Sequence, residues 1–165
     1  MNEGEEVLLD STVCEDELNR LRKASALMVV LSLMAYLDFV LKLLVVDVIG
    51  IILGILTFIF LFQTFSGLGY ISERYSIGNT GLILEILGRL LALSGYFSLL
   101  NGSIYGLFLA IPGLVIAIIG LILVAVGIHR LGAGLDSSSL RTGAYLTVIP
   151  FLNIIGWILV LIGSY

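Results

Sequence analysis

The chain is short of most groups from which reactive sites are made. Its one cysteine, Cys14, excludes an intrachain disulfide. That thiol also lies among acids that keep it protonated and unreactive. Its one histidine, His129, has no second imidazole with which to hold a metal. The three serines 137–139 have no base beside them, and no phosphate-cradling glycine motif is present. No catalytic set and no cofactor are expected, and an enzyme is not expected either. Only 12% of the residues are charged, against about a quarter in ordinary globular domains.

Apolar surface is what the chain has in excess. It is 59% hydrophobic, with a mean hydropathy of +1.17. A soluble fold has nowhere to put that much of it, so the composition implies an all-α, polytopic membrane bundle. The net charge of −4 comes mostly from Glu3, Glu5, Glu6, Asp10, Glu15, Asp16 and Glu17. Such an acidic lead repels nucleic acid and anionic lipid surfaces. Thr12 and Glu15 have capping-box spacing, and Val13, Leu18 and Leu21 fall on one side of a short helix. Arg20, Arg22 and Lys23 follow, and the positive-inside rule then makes residues 1–23 a cytoplasmic segment.

Five membrane helices are expected, at about 24–44, 47–68, 80–100, 104–128 and 142–164. The tract 24–68 is too long for one crossing and must turn back near residues 42–49. Residues 67–79 and 129–141 read as polar loops, and Tyr70 and Tyr75 suit the headgroup region. An odd number of crossings puts the carboxyl terminus outside the cell.

The uncharged stretch 104–128 carries its small residues on one face. Gly106, Ala110, Gly113, Ala117, Gly120 and Gly127 follow heptad spacing, as do Gly81, Gly88 and Gly95 with Ala92 on the preceding helix. Lipid provides no hydrophobic drive between helices, so close backbone approach must hold them together. Joined by Asn101-Gly102-Ser103, these two helices are expected to pair as a tight antiparallel hairpin. Gly50, Gly54, Thr57 and Thr64 make a further small stripe.

Charges within the apolar runs are the strongest functional flags. Asp38 and Lys42, and Glu85 and Arg89, stand four apart with the acid first, the favourable order for a helical ion pair. Asp47 has no such base, and Pro150 with Asn153 can bend the last helix around a polar pocket. Two functions fit these features. One is a structural subunit that associates with lipid, with its own copies or with a membrane partner through small faces. The other is an ion- or proton-coupled transporter or channel that uses Asp38, Asp47, Glu85 and the Pro150–Asn153 bend.

The segment Tyr75-Ser76-Ile77-Gly78-Asn79-Thr80-Gly81, running into an apolar helix, resembles a hallmark of a known family. So do Gly127-Ile128-His129-Arg130-Leu131-Gly132, Thr142-Gly143-Ala144-Tyr145-Leu146, Ile149-Pro150 and Ile155-Gly156-Trp157-Ile158-Leu159. The family is a multi-pass membrane family of unknown function from thermoacidophilic archaea. The likeness covers about residues 65–165 and implies an archaeal cell-membrane protein. It carries no activity and no site residues.

Overall fold

The structure, a computed structural model, describes residues 14–41, 44–150 and 152–165, with side chains except those of 36–48. Among the described residues every regular element is a helix: α1 (Glu15–Leu41), α2 (Leu44–Ile71), α3 (Ile77–Leu100), α4 (Leu107–Gly134), α5 (Ser138–Val148) and α6 (Asn153–Gly163). Single 3₁₀ turns at Glu73–Tyr75 and Ile104–Gly106 lead into α3 and α4. Three helical stretches, Ile49–Ile71, Glu73–Leu100 and Ile104–Gly134, are long and apolar enough to cross a membrane.

The acidic segment is not separate from the first membrane run. Helix α1 begins at Glu15, and its first turn holds Glu15, Asp16 and Glu17, where the positive end of the helix dipole favours carboxylates. Leu18 and Leu21 are buried, and so is Cys14, which lies in the core rather than in a solvated tail. Thr12 lies outside the described residues. Tyr70 is exposed, but Tyr75 is buried in the same core.

The two polar loops are shorter than the composition implied. Helix α4 runs on to Gly134 and α5 starts at Ser138. Arg141 donates to the carbonyl oxygens of Gly132 and Ala133 at 3.3 Å, covering the last acceptors of α4. Ser137 accepts from the Leu140 N–H at the start of α5. The serine run therefore caps and opens a helix.

The largest departure concerns residues 142–164, where one crossing helix was expected. They form most of two helices of 11 residues each, α5 and α6. Each is about 16 Å long, roughly half the hydrocarbon thickness. Pro150 forces the break: it has no N–H to donate, and Ile149 before it is extended, at φ −87° and ψ 117°. Asn153 spans the break, its Nδ2 donating to the Thr147 carbonyl oxygen at 2.5 Å. A Cβ on Gly143 would lie 2.8 Å from the Gly156 carbonyl oxygen, so the two short helices fold back in close contact.

The carboxyl end consequently returns to where α1 begins. Arg22 donates through Nε to the Ser164 carbonyl oxygen at 2.7 Å, and its guanidinium lies 4.4 Å from the centre of the Tyr165 ring. The first turns of α1 and the last residues of the chain therefore lie side by side. The main core packs at the same end, where Leu21, Phe65, Tyr75, Leu131, Leu140 and Trp157 belong to one buried cluster.

Candidate functional site

Two features built from the same helices define the site: a glycine seam and the cleft beside it. Helices α3 and α4 make the most extensive contact in the fold. Their glycines meet in three layers, Gly81 with Gly120, Gly88 with Gly113, and Gly95 with Gly106. A Cβ added to Gly81 would lie 2.7 Å from the Gly120 carbonyl oxygen, and one on Gly113 would lie 2.8 Å from that of Gly88. Real Cβ atoms do not come that close to backbone. Ala92, Ala110 and Ala117 fill the intervening layers, their backbone N–H groups facing Gly113, Gly95 and Gly88. Gly127 does not continue the series. It faces Phe65 of α2, which also fills the notch at Gly78.

In the seam of α3 the position corresponding to Ala92 one heptad earlier is Glu85, whose backbone nitrogen faces Gly120. Its side chain leaves the seam sideways and accepts a close charge-assisted hydrogen bond from Arg89 Nη2. Arg89 lies midway along α3, a helix about 36 Å long. The Glu85 side chain is 16% exposed and that of Arg89 is 66% exposed. Neither makes another hydrogen bond or ion pair among the described residues.

The pair borders a cavity of about 710 Å³ between the α3–α4 hairpin and the other helices. Ile86, Leu90, Ile51, Ile55 and Phe58 give it apolar walls. Ser32, Thr57, Asn153 and Trp157 add polar atoms. Ser32 donates to Asn153 Oδ1 at 3.1 Å, tying α1 to the fold-back. Thr57 donates to the Leu53 carbonyl oxygen at 2.8 Å. Trp157 is buried, and its indole N–H has no acceptor among the described residues. Gly50 and Gly54 line the cavity too, with nothing among the described residues within 4 Å of where a Cβ would stand.

The structure thus brings Glu85, Arg89 and Asn153 to one cleft, with Pro150 forming the break just before Asn153. Asp38, Lys42 and Asp47 lie outside the residues whose side chains are described. Ser32 and Trp157 were not read as site residues. The available signal was Gly50 and Gly54, one turn apart on a helix with no matching stripe to receive them. Pro112 sits inside α4, and the helix continues through it. His129 stacks on Tyr145 with ring centres 4.9 Å apart, away from the cleft.

Helices of membrane-crossing length, a proline-broken pair of half-length helices, and a charged pair facing a cleft define the class. Among the described residues the chain is all-helical, with three helices long and apolar enough to cross a membrane. It belongs to the family described as Protein of unknown function (DUF973), whose match covers residues 26–165. No curated protein and no solved structure matches the chain.

Proposed function

We propose that this chain is a polytopic cell-membrane protein that binds a small molecule in the cleft between the α3–α4 hairpin and α1, α2 and α6, and carries it within the bilayer. One observation carries this reading. A Glu85–Arg89 pair midway along an apolar helix borders a cavity, with the Arg89 side chain 66% exposed. Insertion scales put a lone charge at bilayer centre at about 2.5–3.5 kcal/mol. A purely structural pair would be enclosed to limit that cost. The broken α5–α6 hairpin adds support, because interrupted helices at membrane depth are tolerated where they line a cavity.

The same reading has a topology. Helices α1 to α4 cross the membrane, and α5–α6 enters to half depth and returns. The end at which α1 starts and α6 closes holds Arg22, Arg130 and Arg141, with Arg130 donating to the Arg74 carbonyl oxygen at 2.8 Å. The positive-inside rule assigns that end to the cytoplasm. Tags at the two ends are then expected to be accessible from the same side of sealed vesicles.

A second reading, the structural subunit, is favoured by Gly50 and Gly54, whose open face suits a partner helix. Native mass of the protein released from mild detergent separates the two. A monomer carrying a small-molecule adduct, lost in Gly54→Leu, is the result expected of a carrier. A dimer or a bound protein, lost in the same variant, would replace the carrier by the subunit.

A further inference from the structure

The electrical and hydrogen-bonding balances of the cleft differ, and the difference constrains what can occupy it. Glu85 and Arg89 cancel in charge. They do not cancel in donors, because a guanidinium has five N–H groups and the described residues give Arg89 one acceptor, Glu85 Oε1. The rest belong to a side chain that is 66% exposed at mid-helix. In hydrocarbon, each such donor left without an acceptor is costly.

An anion would meet the donors but would add a negative charge to a pair that is already neutral. The other described polar groups of the cleft, Ser32, Thr57, Asn153 and Trp157, are uncharged and offer no second cation. A neutral oxygen acceptor meets the donors with no charge left over. The apolar walls of Ile51, Ile55, Ile86 and Leu90 suit a hydrocarbon body beside it. The volume of about 710 Å³ falls within the range of small-molecule sites, about 300–1,000 Å³.

Resting on the carrier reading, the geometry points to an uncharged, lipid-soluble molecule with a carbonyl head, seated on Arg89 with its body along α2 and α3. Such a carbonyl belongs to a quinone ring or to an acylglycerol ester. The head accepts from Arg89 while Glu85 holds the guanidinium in place. Arg89 is then the recognition residue, and Gly50 and Gly54 leave room for the body.

Trp157, the sole tryptophan of the chain, borders the cleft and serves as the reporter. The full-length protein in nanodiscs of neutral lipid is titrated with decylubiquinone, dioctanoylglycerol and palmitate, following Trp157 emission and, independently, Tm. Saturable binding of one or both carbonyl compounds, tighter than that of palmitate, is the expected result. Arg89→Met is expected to weaken it at least about tenfold. The Glu85→Gln/Arg89→Met double variant, which leaves no lone charge, is expected to match that loss. Gly54→Leu, whose side chain projects into empty space, is expected to abolish saturation while the protein stays folded.

Palmitate binding tighter than both carbonyl compounds would overturn the uncharged head and leave the cleft as a carrier site. Saturable binding unchanged in Gly54→Leu or in the double variant would put the ligand elsewhere and overturn the proposal. Failure of all three probes, with the small-molecule adduct still present in native mass, would overturn the carbonyl class alone. Failure of the probes and absence of the adduct would overturn both.

Discussion

The molecule holds two helical hairpins closed by the same chemistry. In α3–α4, three glycine layers bring two long helices into backbone contact along their length. In α5–α6 a single layer, Gly143 on Gly156, does the same for two helices of 11 residues. The helices of one hairpin are long enough to cross a membrane, whereas those of the other have about half that length. Their tips differ as well. Asn101 and Gly102 turn the long hairpin, with Gly102 at φ 79° where a side chain would be strained. Pro150 turns the short one and is followed by Asn153, which hydrogen-bonds across the break. Glycine sets how closely helices approach. Helix length and the polarity of the tip are what distinguish the two hairpins.

The hardest test of this comparison fills the long seam. Gly113→Leu pushes a side chain against Ala92 and Gly88 backbone, and backbone cannot turn aside as a rotamer can. A loss of about 3 kcal/mol is expected, at the upper end for overpacking, read as a lower Tm in detergent. An unchanged Tm would mean that the seam does not hold the hairpin.

The charged pair comes next. Glu85→Lys leaves two cations together at mid-helix, and a loss of about 2.5 kcal/mol is expected, at the lower end for a lone intramembrane charge. Adding Arg89→Glu recreates the pair in reverse order and is expected to restore most of the stability. No rescue would separate the two residues energetically.

At the short hairpin, Asn153→Ala removes the bonds to Thr147 and Ser32. About 1–2 kcal/mol is expected for two such bonds, read as faster amide exchange confined to α5 and α6. Exchange that rises equally in α3 and α4 would mean that the two hairpins do not move independently. The smallest effect is expected at Gly54→Leu, within about 0.5 kcal/mol of the parent as at open positions. A large loss there would show that the cleft closes against α2.

The long hairpin was legible because its pattern is redundant. Heptad spacing places glycine on the same face at each repeat, and a short turn leaves one partner within reach. Glu85 was legible as a charge in an apolar run and as half of a pair with Arg89. Its placement beside a cavity was not, because that depends on how far α1 and α2 stand from α3. The start of α1 was legible in the spacing of Thr12 and Glu15 and of Leu18 and Leu21. Its continuity into the apolar run was not, because Arg20, Arg22 and Lys23 read as a membrane boundary. Pro150 was legible as a bend but not as a full break, since residues 142–164 are apolar enough to pass as one span. The clue lay in symmetry. Gly143 and Gly156 stand equally far from the Ile149–Pro150 bond, as Gly95 and Gly106 do from Leu100–Asn101.

The glycine seam also has a mechanical consequence. Two helices touching through backbone have no cushion of side chains to shear between them, so they bend and tilt as one stiff beam. The beam bears on α2 near its base, where Phe65 sits in the socket formed by Gly78 and Gly127 and Asn79 hydrogen-bonds to Ser66 Oγ at 2.9 Å. A tilt about that bearing moves Arg89, about 17 Å along the beam, half as far as the Asn101 turn, about 35 Å along it. An aromatic side chain at the base of the beam is thus its fulcrum, and the wall of the cleft at Arg89 follows the tip at half its travel.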